Sequence, residues 1–331
     1  MIQRDLERGL VELLVDHGVV AAGSAALGPL HFDAHQARLR VAAGEASAAH
    51  FTFRNPERAS ALVNSYPWAR GYISIALAYA TSQGDGVASV AAYAAQNRYD
   101  DLRRVLLSAT EFLGHEGVRA VSVYDANHAF DKGLARRGGV GFVGRHSLVM
   151  VPKFGARVVL GSIVTAKELN VSLGQHFRVD PCRGCRRCID ACPTAAIVAP
   201  GRVIANRCIA DVLQRESWSR DDRRSVGVRV YGCDTCIDAC PVGWRSRLPV
   251  EEAPLARWLV ADDEHLLMEV GNWYIPRRDT YFVRRNIANA LRNRGSLTLA
   301  ERGALARLCL SDDRRLRREA LRTLLAIRWG P

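Results

Sequence analysis

A mixed α/β domain, a compact cysteine-rich module and an all-helical tail, in that order, are what this chain predicts. Three observations carry that reading. Strand-like apolar runs alternate with helical periodicity over the first half; eight of the nine cysteines crowd between Cys182 and Cys240; and from about residue 250 onward the pattern is purely helical. The expected domains are residues 1–172, 173–248 and 249–331.

The first domain opens with Ile2, Leu6, Leu10 and Leu13–Leu14 at helical spacing, which predicts an amphipathic helix. Strand runs follow at Tyr72–Ala78 and Val118–Val123, with helical segments around 85–115 and 126–138. Glycines then punctuate the chain at Gly138, Gly139, Gly141, Gly144, Gly155 and Gly161, around strand runs Ser147–Val151 and Val158–Val164. Glycines so placed let backbone approach a ligand closely, and turns alone also account for several of them. In the tail, Val283–Leu291 and Leu316–Leu324 look alike at an offset of 33 residues, as expected of paired helical-repeat units. Cys309, between Leu308 and Leu310, reads as a small core residue.

The formal charge of +12 rests almost wholly on arginine, since Lys132, Lys153 and Lys167 are the only lysines. Arginine suits phosphate, but charge alone does not decide between a nucleic-acid partner and solvated helix faces. No apolar run approaches the ~18–20 residues of a membrane-spanning helix. The charged N-terminus, with Arg4, Asp5, Glu7 and Arg8, lacks an export signal's apolar core, so a cytoplasmic protein without membrane attachment is expected.

In that compartment nine cysteines point to metal or redox chemistry rather than disulfides. The first motif is Cys182-x2-Cys185-x2-Cys188-x3-Cys192-Pro193; the second is Cys208, then Cys233-x2-Cys236-x3-Cys240-Pro241. Both contain Cys-x-x-Cys-Ile-Asp-Ala-Cys-Pro, an internal duplication. Thiolates so spaced bind one [4Fe–4S] cube, while the cysteine before proline reaches the neighbouring cube. Cys182, Cys185, Cys188 and Cys240 are therefore assigned to one cluster, and Cys192, Cys208, Cys233 and Cys236 to the other. Zinc sites more naturally show separated Cys-x2-Cys pairs without these crossed Cys-Pro endings. A two-cluster, ferredoxin-like module is the expected reading.

Beyond the cysteines, Asp125 through His146 resembles the signature of the epoxyqueuosine reductase family. The matched stretch reads Asp125-Ala-Asn-His-Ala-Phe-Asp131-Lys132-Gly-Leu-Ala135-Arg-Arg-Gly138-Gly139-Val-Gly141-Phe142-Val-Gly144-Arg145-His146. Phe154–Thr165, Arg207–Ile209, Tyr231–Asp234 and Arg285-Asn286 continue the likeness in order. The resemblance implies a cobalamin-binding, reductive-dehalogenase-like N-terminal domain, a two-[4Fe–4S] module and a HEAT-like helical tail. It implies reduction of epoxyqueuosine in the tRNA anticodon stem-loop to queuosine, by a monomer supplied by a low-potential donor such as ferredoxin or flavodoxin. By position Asp125 matches the proton donor and a cofactor contact. Gly138, Gly139, Gly141, Phe142, Gly144, Arg145 and His146 would lie along the corrin, and Arg54 matches a further cofactor contact.

Read from the residues alone, Asp125 is equally placed to cap a helix starting near Ala126. His128 reads as a surface or core histidine, and Asp131-Lys132 as a helix-surface ion pair. The chain departs from the family pattern at 93–100 and 209–216, where the pocket or the tRNA surface would be shaped. A cobalamin reductase of a small epoxide or organohalide, or a ferredoxin-type carrier, are the alternative functions. Arg284, Arg285, Arg292, Arg294 and Arg314 to Arg318 are the arginines that would face phosphate, or simply solvent.

Overall fold

The computed structural model describes residues 3–47, 55–82, 89–243, 247–248, 253–271 and 273–328. The chain packs as two units, each assembled from three stretches. Met1–Thr81, Arg98–Asn206 and Thr235–Ser246 make the first; Ser82–Asn97, Arg207–Asp234 and Arg247–Pro331 make the second. These are not the three consecutive segments read from the sequence. Among the described residues no helix is long and apolar enough to cross a membrane.

In the first unit a five-stranded sheet carries helices on both faces. Helix α1 (Gln3–Asp16) leads into β1 (Val19–Ala26) and α2 (His31–Ala42); β2 (Gly71–Ala78), α3 (Arg98–His115), β3 (Ala120–Val123), α4 (Asp131–Arg137), β4 (Val158–Thr165) and β5 (Ser172–Leu173) follow. The strand order is β3-β4-β2-β1-β5, and every pairing is antiparallel. β2 is buried along nearly its whole length because both its faces are covered. On one face α3 packs on β3 and β4, with Leu102 and Leu106 closing over Gly161. On the other, α4 packs on β2 and β4: Leu134 joins Tyr72 and Val164, and Ala135 joins Ala21 and Ala76. The Tyr72 hydroxyl donates to the Leu134 carbonyl at 3.1 Å, fixing the helix on the sheet.

The α4 seat depends on two glycines. A Cβ on Gly23 of β1 would lie 1.9 Å from the Gly138 carbonyl oxygen, so only glycine lets the two backbones meet. β1 falls within the apolar stretch Val19–Leu30, which Gly23, Gly28 and Pro29 interrupt.

The second unit is mainly helical. Its chain runs through β6 (Arg229–Tyr231), α5 (Leu255–Val260), α6 (Asp263–Glu269), α7 (Tyr281–Arg294), α8 (Leu299–Leu308) and α9 (Arg314–Arg328). The two look-alike segments fall in α7 and α9, which pack together, and Cys309 lies half-buried beside the shared core. Ser89–Val90 pairs in parallel with β6, which explains why residues 82–97 join this unit. Tyr231 of β6 stacks on Trp273 at 4.3 Å.

α7 corrects one expectation. Arg284 and Arg285 do not face phosphate; both are buried, Arg285 to 1% exposure. The Arg285 guanidinium lies 3.9 Å over Trp218, donates to the Leu213 carbonyl at 2.7 Å and also reaches the Arg215 carbonyl. Asn286 donates to the carbonyls of Leu213 (3.1 Å) and Val230 (3.0 Å). The pair therefore ties down the end of the short helix Ile209–Val212 that follows Cys208. Arg284 donates to Asp263 at 2.7 Å, and Arg294 pairs with Glu301. Replacing Arg285 by alanine leaves buried carbonyls without donors and should cost about 2–4 kcal/mol. An earlier urea-unfolding midpoint is the expected result; an unshifted midpoint would count against this anchoring role.

Candidate functional site

Six of the eight clustered cysteines lie in the first unit; Cys208 and Cys233 lie in the second. The Cys182–Cys185 turn is made by two left-handed residues, Arg183 (φ 20°) and Gly184 (φ 76°), and the Cys185 N–H donates to the Cys182 carbonyl at 2.6 Å. Cys188 and Cys236 sit on short helices, Arg187–Asp190 and Thr235–Asp238, which pack on each other as the duplicated halves of the motif. Asp238, inside the second copy, accepts from buried Arg157 at 2.6 Å.

Cys182, Cys185, Cys188 and Cys240 come together. Burial pushes the Cys188 thiol up, and proximity to Cys240, Cys182 and Cys185 pushes it further. Burial likewise raises Cys240, against the Val242 amide, with Cys182 and Cys185 adding to the rise. Thiols such as Cys188 and Cys240, whose ionisation is opposed by burial and by neighbouring sulfurs, suit a cationic iron core. The fourth sulfur is supplied from the other motif copy, as the crossed pattern requires. Cys192 has a different setting. Burial would raise its thiol, but amides of Thr194, Ala196 and Ile197 and the Thr194 hydroxyl hold it below the ordinary value. The Ala196 N–H lies 3.3 Å from its sulfur. In the second unit Cys233 packs against Ile209, Val212, Leu213 and Val226, just beyond the Cys208 turn.

A cavity of about 610 Å³ opens elsewhere in the first unit. Its walls come from α2 (Phe32, Asp33, Gln36, Ala37, Arg40), the loop and first turn of α4 (Asp125 to Gly133), Val143, Ser147 and Pro200 to Arg202. Asp125 stands in this wall. It is not a helix cap: α4 starts at Asp131, preceded by Phe130. Instead Asp125 occupies a bend with φ 45°, a left-handed conformation that non-glycine residues rarely adopt. Its side chain reaches solvent through the cavity, and the surrounding walls push its carboxyl up by desolvation.

The glycine segment is placed differently from its neighbours in the wall. Gly138, Gly141 and Gly144 press on the chain itself: added Cβ atoms would meet the Gly23 carbonyl at 2.9 Å, the Met150 carbonyl at 2.3 Å and His146 at 2.8 Å. Gly139 (φ 78°) has an open side, with His176 at 3.9 Å. The Arg145 carbonyl accepts from Gly201 at 2.9 Å. Val143 and Ser147 are the members of this stretch that reach the cavity. Phe142, beside Val143 on a two-residue strand, joins instead the apolar cluster containing Cys182, Cys236 and Cys240. Successive strand residues point to opposite faces. Two residues thus connect the cavity wall with the cysteine region. Arg54 lies outside the described residues.

His146 is buried. Its Nδ1 accepts from the Leu148 amide at 3.2 Å, so Nε2 carries the proton, and that atom is buried without a hydrogen-bond partner. Burial, then Lys132, pushes its pKa down to about 4, leaving a neutral ring. His128 pairs with the Tyr66 hydroxyl at 3.0 Å.

Sequence reasoning missed two features of the wall. Lys132 reaches Ser147 (3.1 Å to the carbonyl), while Asp131 lines the cavity with Oδ1 buried and without a partner. The α2 contribution was also missed, although Asp33, Gln36, Ala37 and Arg40 recur at helical spacing. The Nε atom of Arg40 is likewise buried and unpartnered. An orphan acceptor and an orphan donor, set among Phe32, Ala126, Ala129, Phe130 and Val143, fit a flat, amide-edged cofactor such as a corrinoid.

Comparison with known proteins follows this geometry. The family described as 4Fe-4S double cluster binding domain matches residues 181–243, which hold all eight clustered cysteines. The epoxyqueuosine reductase of Bacillus subtilis is 33% identical over 179 residues, 50% of this chain and 45% of that protein. That of Gloeobacter violaceus is 33% identical over 154 residues, 44% of this chain and 46% of the relative. The chain therefore spans about half the length of the curated relatives it matches. A crystal structure of epoxyqueuosine reductase with an epoxyqueuosine-modified tRNA-Tyr stem loop superposes with a TM-score of 0.81 at 25% identity, covering 98% of this chain and 91% of that one. The Streptococcus thermophilus enzyme, at 22% identity and a TM-score of 0.80, shares the fold. A catabolic reductive dehalogenase reaches a TM-score of only 0.31, which carries no argument. In sequence over half its length, and in fold over nearly all of it, the chain is similar to epoxyqueuosine reductases.

Proposed function

We propose that this chain removes the epoxide oxygen of epoxyqueuosine in the anticodon stem-loop of tRNA, leaving the alkene of queuosine. Two [4Fe–4S] clusters and a cobalamin serve it as cofactors. The observation that carries the reading is Asp125: a carboxyl on a cavity wall, its proton affinity raised by desolvation, beside the strand Phe142–Val143 that reaches the cluster cysteines.

The reaction takes two electrons and two protons; both epoxide carbon–oxygen bonds break, an alkene forms and the oxygen leaves as water. Cys192, Cys208, Cys233 and Cys236 would hold one cluster and Cys182, Cys185, Cys188 and Cys240 the other, and the two would supply one-electron chemistry from a low-potential donor. Cobalamin, when bound, supplies a low-valent cobalt centre able to cleave a carbon–oxygen bond. The protein's own part is binding, proton supply and exclusion of water. Arg40 and Asp131, with Ser147 of the 138–147 segment, stand in the cavity wall where the cofactor's amide edge would lie, and Arg54 would add a further contact. Asp125 holds a proton on its carboxyl and gives it to the departing oxygen, a general-acid role that its raised proton affinity favours.

The first unit is thereby read as the cobalamin-binding domain and the helical segment 249–331 as a repeat-type tail. The enzyme acts as a cytoplasmic monomer. Its net charge of +12 favours a polyanionic partner, and Arg292, Arg314 and Arg318 are exposed on the tail.

Reduced, cluster-loaded protein supplied with cobalamin should convert epoxyqueuosine in tRNA to queuosine, scored by mass analysis of the nucleosides. Asp125→Asn should slow this conversion by about 10²–10⁴-fold with the cluster and corrinoid spectra unchanged; undiminished turnover in that variant removes the acid role. Cys240→Ala should take the iron content from about eight to about four per chain. Retention of full iron by that variant would refute the crossed ligand assignment.

A further inference from the structure

We infer that Arg157 sets the cluster of Cys182, Cys185, Cys188 and Cys240 apart from its duplicate: a guanidinium buried beside the second motif copy makes this cluster the easier one to reduce. The inference deepens the function proposed above and rests on its cluster assignment, not on its substrate.

Two copies of one motif give two clusters of nearly the same ligand chemistry, so a difference between them must come from their surroundings. Each copy carries an aspartate two residues before its Cys-Pro, Asp190 in the first and Asp238 in the second. Asp190 faces Arg186 at 3.5 Å with both side chains 63% exposed, a pair that water screens. Asp238 instead accepts from Arg157 Nη2 at 2.6 Å, and that arginine is only 8% exposed. The motif is duplicated, but its aspartates meet different cations.

The backbone holds Arg157 in this place. It directly precedes β4, and its carbonyl accepts from the Tyr79 amide at 3.0 Å. Two residues earlier, Gly155 (φ 59°) meets the chain beyond Cys240, where an added Cβ would lie 2.2 Å from the Val242 carbonyl oxygen. Ala156 joins Met150 and Ile237 in the apolar cluster that includes Cys182, Cys236 and Cys240. Residues 155, 156 and 157 therefore all meet the second motif copy, and the guanidinium is the charged part of that contact.

The sign follows from charge. Taking one electron from the donor makes a thiolate-bound cube more negative, and a nearby cation stabilises that form. Asp238 opposes the cation, but its side chain is 60% exposed, so water weakens its field more than that of the buried guanidinium. Cys240 registers the balance: burial raises its thiol, and Arg157 is among the groups that pull it back. Phe142, whose neighbour Val143 lines the cavity, packs with two ligands of this cluster, Cys182 and Cys240, and with one of the other, Cys236. A higher potential here would rest the electron on the cavity side.

The test is a redox titration of the full-length, cluster-loaded chain followed by electron paramagnetic resonance, with iron counted in the same samples. Arg157→Gln should keep about eight irons per chain. It should lower one cluster's ratio of reduced to oxidised form about tenfold at a fixed poise, a shift of about 59 mV to more negative potential. Arg157→Lys should retain the parent value. Asp238→Asn, which removes the carboxylate and keeps the cation, should shift the potential the opposite way. A purely structural clamp predicts that Arg157→Gln and Asp238→Asn act alike. Movement of both in one direction, or no movement with the iron intact, overturns the inference. Should Arg157→Gln lose iron, the sign of the Asp238→Asn shift decides. Parent protein that titrates as expected yet leaves epoxyqueuosine unchanged ends the substrate proposal alone.

Discussion

The first unit is organised around one steric constraint: a helix must sit on the sheet closer than any side chain permits. At Gly23 the space a Cβ would fill is taken by the Gly138 carbonyl. Around that point the packing is kept small, with Ala21, Ala76 and Ala135 all fully buried. Everything chemically interesting hangs from this contact. α4 begins at Asp131, so its seat fixes the loop that carries Asp125. Immediately after α4 the chain passes through Phe142 and Val143, one facing the cysteine region and the other the cavity. A methyl group at residue 23 would therefore disturb carboxyl and cluster surroundings together.

Buried polar groups meet two different fates in this chain. In the second unit, Arg285 and Asn286 are as deeply buried as any apolar side chain, yet their polar atoms meet carbonyls of the segment beyond Cys208. A buried network of this kind, with its donors matched to acceptors, gives a defined structure. Elsewhere Asp131 Oδ1, Arg40 Nε, Arg98 Nε and His146 Nε2 of the first unit, and Arg284 Nε and Asn289 Oδ1 of the second, are buried with no hydrogen-bond partner. Native proteins rarely tolerate such atoms, and those they keep tend to mark places where something else binds or reacts. Of these atoms, those of Asp131 and Arg40 belong to residues of the cavity wall.

That distinction explains what was legible in the sequence. The cysteine duplication was readable because ligand spacing is a local property: three thiolates two residues apart need no tertiary knowledge. The strands at 71–78 and 158–165 and the helix at 98–115 were visible for the same reason, as local periodicity. Burial is not local. Arg284-Arg285 reads as a basic surface in any window, and only the carbonyls contributed from 213–215, together with Asp263, reveal an internal anchor. Asp131-Lys132 reads as an ion pair, but the lysine is drawn to Ser147 fifteen residues on, leaving the carboxyl to the cavity. The helical reading of 85–115 holds from Arg98 onward but misses the two-residue strand Ser89–Val90, whose partner lies about 140 residues away.

Placing electrons and protons in one cavity raises a chemical difficulty that this arrangement answers. A centre reducing enough to open a carbon–oxygen bond can also discharge its electrons onto protons from water. Protection requires that protons arrive in small number and from a fixed donor. In the proposed reaction that fixed donor is the Asp125 carboxyl, on the wall that Ala129, Phe130 and Val143 also form. Phe142, facing away toward the cysteines, brings the electron source close without opening the cavity to it. The separation of the two supplies by a single turn of strand alternation is what lets a strong reductant and a proton donor coexist within the same few residues.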